Sequence, residues 1–272
     1  GRLLLLLVSI GAVSAADDLN DTIASDDGAI LEDVPSEDVV ASNGEDIVST
    51  NSHNVTKSNY YNYFDASTGE LKDSSASEGD TINLEGDFSN LKLVFKKSIN
   101  VVGKEDVRLS NCMFTFSDVA SGSSISKLNI FNTKETTYGI FLNGVSNCII
   151  RDCFINNTGA SSYAVCIANS ANYNNVTNNN LNAYGITYGH GTRSTPPLLV
   201  SGAHYNYIAN NQIGCDDANA VYLSSYSGGP LKGGDSNFNL IYNNTIKYHV
   251  LPTSWSYGVQ LMGSNNTVDS NR

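Results

Sequence analysis

The chain has 272 residues, of which 40% are apolar and 15% are charged, so most of it can bury a core. Gly and Asn are abundant, Pro and Met are scarce, and no stretch has the apolar period of an amphipathic helix. The net charge is −12, and no segment forms the basic stripe that nucleic-acid binding requires. These features predict an all-β protein and exclude nucleic acid as a partner.

The chain begins with an apolar run, Leu3 to Ala16, which follows Arg2 and ends in small residues. The run is too short to span a membrane and the residues after it are acidic, so we interpret residues 1–16 as a secretory signal. Because the chain does not begin with Met, we expect this signal to be truncated. The sequence thus predicts an extracellular or cell-surface protein without a transmembrane helix in this chain.

Residues 17–57 differ sharply in charge from the rest of the chain. They hold eleven of the 27 acidic residues, a single base (Lys57) and no aromatic residue. From Ser58 onward the chain has 16 acidic and 13 basic residues, so this part is nearly neutral. This composition predicts a disordered acidic spacer over 17–57, with order beginning near Tyr60.

Residues 58–110 contain short apolar runs separated by Gly, Asn or Lys turns, most clearly from Gly79 to Leu109. A solenoid needs an end that shields its strand edges. We therefore predict that this segment forms an N-terminal cap and the first coils.

A repeated motif occupies residues 111–272. It reads Asn, one residue, a branched apolar anchor, two residues, a polar slot, one residue, then Ile or Leu. The anchors, separated by 25 to 33 residues, are Ile125, Ile150, Val176, Ile208, Ile241 and Val268. A second apolar strand precedes each anchor motif by about ten residues. Units of this size must stack to bury their apolar faces, which predicts a right-handed parallel β-helix.

Stacking places equivalent residues of successive coils over one another, about 4.8 Å apart. The anchor and the residue five places later are predicted to form interior columns. After Val268 that second residue would fall at position 273, so we expect the repeats to continue beyond Arg272. The polar slot predicts a hydrogen-bonded Asn ladder; the alternative is exposed turn residues. Its members are Asn179, Asn211, Asn244 and Asn271, with Cys153 in the preceding coil.

Together, the secretory leader, the acidic spacer, the GDTINLEG…INVVG first coil and the NxI-type coils resemble archaeal adhesin-like surface proteins with right-handed parallel β-helix repeats. The likeness covers nearly the whole chain, although the repeats alone are shared with polysaccharide-degrading enzymes. The resemblance implies an extracellular, wall-associated protein and implies no catalytic residues.

Three segments leave the same corner of successive coils, at 182–197, 214–219 and 247–256. Loops on a rigid scaffold commonly carry function. Sugar recognition uses aromatic rings for the apolar faces of the sugar and charged groups for its hydroxyl or acid groups. The corner therefore predicts a glycan site containing Tyr184, Tyr188, His190, Arg193, Asp216, Asp217, Tyr248, His249 and Trp255.

An enzymatic alternative remains open. Polygalacturonase-type hydrolases use paired Asp residues and a Gly-His-Gly segment, and this chain has Asp216-Asp217 and Gly189-His190-Gly191. Here their order is reversed, and the Asn-Thr-Asp and Arg-x-Lys elements are absent. Adjacent Asp residues in a turn favour turn chemistry. We predict no catalytic residue and keep a polysaccharide hydrolase or lyase as the alternative to an adhesive, structural protein.

No metal site and no cofactor are predicted, and the oligomeric state is left open. The five cysteines lack metal-ligand spacing and lie in apolar patterns, so we expect them to be small core residues. His190 and His249 have no third ligand for zinc. Six Asn-x-Ser/Thr sequons are compatible with a glycoprotein.

Overall fold

The computed structural model describes residues 50–117, 119–134, 138–160, 162–184, 195–216, 218–248 and 256–272. These residues form three parallel sheets, stacked coil upon coil, and one short helix. The predicted secretory signal, and the predicted spacer as far as residue 49, lie outside the described residues. The chain is a right-handed parallel β-helix, as the repeat predicts.

Each complete coil contributes one strand to each sheet, and the helix α1 spans Tyr60–Tyr63. Sheet 1 comprises β1 Ser52–Val55, β2 Thr81–Leu84, β5 Asn100–Gly103, β8 Ser124–Ser126, β11 Ile149–Arg151, β14 Asn175–Thr177, β17 Tyr207–Ala209, β20 Leu240–Tyr242 and β23 Thr267–Asp269. Sheet 2 comprises β4 Lys92–Phe95, β7 Met113–Ser117, β10 Tyr138–Asn143, β13 Tyr163–Ala168, β16 Leu198–Ser201, β19 Val221–Ser224 and β22 Val259–Leu261. Sheet 3 comprises β3 Asp87–Ser89, β6 Arg108–Ser110, β9 Asn129–Asn132, β12 Phe154–Asn157, β15 Asn180–Ala183, β18 Gln212–Cys215 and β21 Thr245–Tyr248.

The repeat anchors lie in register in sheet 1. Ile150 pairs with Ile125 on one side and with Val176 on the other, and the column continues through Ile208 and Ile241 to Val268. The residues five places later pair in sheet 3 and include Ile130, Ile155, Leu181, Ile213 and Ile246. The predicted interior columns are therefore confirmed.

Strand alternation separates the inside of the coil from its outside. In β12 and β15 the second and fourth residues are buried and the first and third are partly exposed. Since neighbouring side chains of a strand point to opposite faces, one column of each pair enters the core and the next faces outward. The outward columns of sheet 3 thus have a fixed spacing of one coil.

An Asn column closes the bend between sheets 1 and 3. Nδ2 of Asn179 donates to Oδ1 of Asn211 at 3.0 Å, and the same contact joins Asn211 to Asn244 and Asn244 to Asn271 at 2.9 Å. Each oxygen also accepts the backbone N–H of the preceding Asn. The side chains of Asn179, Asn211 and Asn244 are buried. This first Asn column satisfies polar groups that the sharp bend would otherwise leave unpaired.

A second Asn column, which we did not predict, lies at the other end of the sheet 1 strands. It contains Asn174, Asn206, Asn239 and Asn266, joined by Nδ2 to Oδ1 contacts of 3.0 to 3.1 Å. Toward the N-terminus its place is taken by Cys148 and then by Ser123, whose Oγ accepts the backbone N–H of Ile99. Both bends of sheet 1 are therefore held by side chains that accept backbone N–H groups.

The bends also explain why Asn is so frequent. Asn178, Asn210 and Asn243 adopt φ values of 58°, 58° and 49°, directly before members of the first Asn column. Asn is the non-glycine residue that tolerates this left-handed conformation best. A coil bend thus uses two adjacent Asn residues, one for the backbone turn and the other for the column.

The N-terminal cap begins earlier than the sequence predicts. Strand β1 lies within the predicted spacer, pairs in parallel with β2, and buries Val55. His53 Nε2 lies 2.8 Å from Oδ2 of the buried Asp80, which also accepts the backbone N–H groups of Asn51 and Ser77. A polar segment is therefore ordered here because β2 offers it backbone hydrogen bonds and Asp80 offers it a buried acceptor.

Residues 225–234 fold over the outer face of sheet 2. Leu231 is buried there against an apolar cluster that includes Phe141 and Leu199. Asn169, two coils earlier, donates to the carbonyl of Pro230 at 2.8 Å and accepts the N–H of Lys232 at 2.7 Å. We call residues 225–234 the clasp, because they tie three coils together.

Candidate functional site

The outer face of sheet 3 carries a groove. Its walls are outward-facing residues of β12, β15 and β18, in which Phe154, Asn180 and Gln212 are mutually in register. Two adjoining depressions of about 430 and 350 Å³ share these three residues. We call the combined feature the amide groove, because most of its outward-facing side chains are Asn or Gln.

Equivalent positions of successive coils line the amide groove. The larger depression is lined by Asn129, Asp152, Cys153, Phe154, Asn178, Asn179, Asn180, Asn210 and Gln212. The smaller one is lined by Phe154, Asn156, Asn180, Asn182, Tyr184, Gln212, Ile213, Gly214 and Lys247. The groove therefore crosses the strands and runs with the axis of the solenoid.

A short hydrogen-bonded chain orders the middle of the groove. The hydroxyl of Tyr184 donates to Oδ1 of Asn182 at 3.0 Å, and Nδ2 of Asn182 donates to Oδ1 of Asn180 at 2.8 Å. These two side chains lean over Gly214, where a Cβ atom would clash with both. The glycine thus permits Asn182 and Tyr184 to approach the neighbouring strand.

One buried polar atom among the described residues that line the groove has no hydrogen-bond partner. Oδ1 of Asn156 accepts no hydrogen bond from any residue that the structure describes. An unpaired buried acceptor costs roughly 1–3 kcal/mol, so such atoms are rare and call for a specific explanation. Asn156 lines the same depression as Asn182 and Tyr184, with its Oδ1 directed away from solvent.

The groove is nearly neutral. Among its described lining residues, Asp152 and Lys247 are the charged ones, and Asp152 forms an ion pair with Arg151 at 2.8 Å. Burial, and then the nearby charge of Asp216, raise the pKa of Tyr184 above its ordinary value. Tyr184 therefore stays a neutral hydroxyl that can donate or accept a hydrogen bond.

The structure places three members of the predicted corner. Tyr184 lines the groove, and Asp216 directly follows β18 beside it. Tyr248 pairs with Cys215 in the inward-facing column, packs against the core and has a buried hydroxyl. The remaining predicted residues, Tyr188, His190, Arg193, Asp217, His249 and Trp255, lie outside the described residues.

Sequence reasoning did not single out Phe154, Asn156, Asn180 or Gln212. The available signal was strand alternation: in the motif, the residues next to the inward Ile or Leu must face outward. The predicted corner and the amide groove are adjacent, because the corner segments are the direct continuations of β15, β18 and β21.

A second exposed feature is an aromatic stack at the bend between sheets 2 and 1. Tyr173, Tyr205 and Phe238 stack with ring centroids 4.9 Å apart and planes within 6° of one another. Each is about half exposed. Because the rings stack face to face, they offer mainly edges to solvent and make a poorer sugar platform than an isolated ring.

All five cysteines are buried free thiols. Among the described residues, no group of three or more His, Cys, Asp and Glu side chains is arranged to hold a metal ion. In the same part of the chain, no helix has the length and apolar character needed to cross a membrane.

Comparison with known proteins gives no match to a protein-family model, to a curated protein or to a solved structure.

Proposed function

We propose that this chain is a secreted or cell-surface, adhesin-like β-helix protein that serves a structural and adhesive role and contacts a glycan or cell-wall polymer. The amide groove is the observation that carries the proposal. It is a long, open, nearly neutral trough on a rigid scaffold, and it presents many side chains that can both donate and accept hydrogen bonds.

Amide side chains suit sugar hydroxyls because each Asn or Gln offers two N–H donors and a carbonyl acceptor. Neighbouring hydroxyls of a sugar ring likewise donate and accept. Phe154 is partly exposed within the groove and provides an apolar surface for the C–H face of a sugar. The groove thus combines the polar and apolar contacts that a neutral glycan requires.

A hydrolase or lyase would need acid groups held across the bond that breaks. Among the described residues lining the groove, the acidic side chain is Asp152, and it is paired with Arg151. This favours binding over cleavage for the described part of the groove. The sequence resemblance to archaeal adhesin-like surface proteins supports the same proposal.

The test is binding of the purified full chain to insoluble wall preparations and to a panel of neutral and acidic polysaccharides. Gln212→Trp places a large ring in the groove from an exposed position and should weaken binding about tenfold or more, equivalent to about 1.4 kcal/mol. The matched control is Asn175→Trp, an exposed position on the outer face of sheet 1, which should bind like the unaltered protein.

Failure of the protein to bind any polysaccharide or wall preparation would refute the glycan contact. Equal losses in both variants would refute the groove as its location. Release of new reducing ends that disappears in Asp216→Asn would instead establish the enzymatic alternative.

A further inference from the structure

The aromatic stack occupies positions at which the backbone favours Asn. Tyr173, Tyr205 and Phe238 adopt φ values of 58°, 57° and 57°, in the left-handed region. A bulky side chain is uncommon in this conformation and strains the backbone. The members of the same column before and after the stack, Asn147 and Asn265, are the residue type that suits the conformation best. The fold accepts Asn at this bend, so the turn itself does not account for the three rings, and strained positions of this kind point to function.

Further exposed apolar side chains adjoin the stack on the outer face of sheet 1. Two positions further along each coil, Ile149, Tyr207 and Leu240 lie in one outward column. Ile149 is 38% exposed, and Tyr242, in the next outward column, is 37% exposed. We call the outward residues of β11, β14, β17, β20 and β23, together with the aromatic stack, the sheet 1 face. An exposed apolar patch of this kind on a folded domain marks an interaction surface.

The sheet 1 face is close to symmetric about the coil that contains β17. Along the column of the stack the order is Asn147, Tyr173, Tyr205, Phe238 and Asn265, polar at both ends and aromatic in the middle. Reversing the direction of the solenoid axis about Tyr205 leaves this order nearly unchanged. A second copy, related by a twofold axis parallel to the strands, would therefore set ring against ring in all three coils.

The charges of the face have the same symmetry with opposite signs. Arg151, on β11, and Asp269, on β23, are exposed and lie in one outward column, two coils before and two coils after β17. Within one chain they are about 19 Å apart, because four coil spacings of about 4.8 Å separate them. In a twofold pair, each Arg151 would lie opposite the Asp269 of the other copy. The ion pair of Arg151 with Asp152 is exposed, so sharing the guanidinium with a second carboxylate costs little.

The size of the face limits the strength of the contact. Five coils at about 4.8 Å, and a strand with its bend residues at about 3.3 Å per residue, outline roughly 500 Å² on each copy. Two copies would together bury roughly 1,000 Å², which is near the lower limit for a specific interface. We therefore expect a reversible dimer.

We infer that the sheet 1 face is a self-association surface. Two copies of this chain pair there face to face, with their solenoid axes antiparallel, stack against stack, and Arg151 of each copy opposite Asp269 of the other. The inference is independent of the proposed glycan contact, because the amide groove is on sheet 3.

The experiment is sedimentation equilibrium of the full chain over a series of protein concentrations. The protein is made in a host without N-glycosylation, because Asn175, on the sheet 1 face, and Asn265, beside it, begin sequons. The mean particle mass should rise from that of one chain toward that of two as the concentration increases, and then level off.

Tyr205→Asn removes the central ring of the stack. It should weaken the dimer about tenfold or more, equivalent to about 1.4 kcal/mol. The protein should remain folded, since Asn suits the left-handed backbone at this position. Tyr61→Asn, at an exposed ring on α1, is the matched control and should dimerise like the unaltered protein. Gln212→Trp, in the amide groove, should also dimerise normally.

Charge reversal tests the antiparallel arrangement. Arg151→Glu and Asp269→Arg should each weaken the dimer, because each sets like charges opposite one another. The variant that carries both changes should recover much of the dimer, because opposite charges again face each other across the interface. The two residues are too far apart to meet within one chain, so this recovery must arise between copies.

A particle mass that stays at one chain at every concentration would overturn the inference. A dimer that Tyr205→Asn leaves unchanged, or that the double charge variant fails to recover, would overturn it as well. Loss of polysaccharide binding by Tyr205→Asn in a protein that stays monomeric would assign the aromatic stack to a glycan instead.

Discussion

The side chain of Asn211 makes four hydrogen bonds at the centre of the first Asn column. Its Nδ2 donates to the carbonyl of Val176 and to Asn244, and its Oδ1 accepts the backbone and side-chain N–H groups of Asn179. We expect Asn211→Leu to lower the free energy of unfolding by roughly 3 kcal/mol, because it leaves buried groups in two neighbouring coils unpaired.

The measurement is the urea midpoint of the full chain. Gln212→Ala, the next residue and exposed, should change stability by less than about 0.5 kcal/mol. Equal midpoints for the two variants would show that the column adds nothing to stability.

The cysteine thiols offer a second residue-scale prediction. Burial raises the pKa of Cys112 to about 11 and those of Cys153 and Cys215 to about 12. Burial also raises the pKa values of Cys148 and Cys166. Since the thiolate is the reactive form, the native protein should resist aromatic disulfide reagents near pH 8, whereas the denatured chain should react at all five cysteines.

These thiols also set an alkaline limit on stability. Their folded-state pKa values lie above the ordinary value of 9.0. The contribution of the neutral thiols to the free energy of unfolding is therefore fully present below about pH 9. It is lost as the pH rises toward the folded-state pKa values. Rapid labelling of any cysteine in the native protein would contradict the burial on which this rests.

The first Asn column could be predicted, and the second could have been. Both positions recur in the motif, but we assigned a column only to the slot after the anchor. The absence of a described hydrogen-bond partner for Oδ1 of Asn156 could not be predicted. It depends on the residues that surround this atom in three coils, rather than on the position of Asn156 in the repeat.

At the scale of elements, the clasp fastens the outer face of sheet 2. We expect Leu231→Ala to lower the free energy of local opening by about 2 kcal/mol or more, because Leu231 is buried against Phe141 and Leu199. Hydrogen exchange of the amides of residues 225–234 measures this opening. Lys232→Ala, at an exposed side chain, should leave exchange unchanged; equal acceleration in both variants would refute a role for burial.

The cap depends on one carboxylate. Hydrogen bonding to His53, opposed in part by burial, and then the N–H groups of Ser77 and Asn51 hold the pKa of Asp80 below its ordinary value of 3.8. Its stabilising contribution is therefore present above that value and is lost as the pH falls through the lower folded-state pKa.

Asp80→Asn should lower stability at neutral pH and flatten the acid side of the stability profile, measured as thermal midpoint against pH. Asp87→Asn, at an exposed position on sheet 3, is the control. An acid profile unchanged by Asp80→Asn would mean that other carboxylates govern acid unfolding.

Strand β1 shows that the average composition of a segment can wrongly predict disorder. Averaged over residues 17–57, the sequence is acidic and polar, which predicts disorder. Val55 and His53 nevertheless find partners in β2 and beside Asp80. A long-range strand pairing of this kind leaves no trace in local composition.

At the scale of the whole molecule, the repeat determines the fold of the scaffold. Ligand binding depends instead on the side chains of its outer faces. Anchor register follows from apolar spacing, because a slipped coil would turn its apolar residues outward. The predicted corner remains a prediction for the six residues outside the described part of the chain. The groove beside it depends on outward side chains, which the repeat does not constrain.

A neutral groove makes a further prediction about salt. We expect affinity for a neutral glycan to be nearly equal at low and high ionic strength, since amides and a ring supply the contacts and screening acts on charges. Titration at two salt concentrations measures this. A marked fall in affinity with added salt would point instead to charged residues of the corner.

The two Asn columns also have a direction. In each of them every Nδ2 points to the Oδ1 of the following coil, from Asn179 to Asn271 and from Asn174 to Asn266. The amide dipoles are therefore parallel, and aligned dipoles reinforce one another as they do along a helix. At each step of a column, one Nδ2 donor meets one Oδ1 acceptor of the following coil. A coil stacked in the opposite direction would place N–H groups opposite N–H groups. The columns therefore favour one direction of coil stacking.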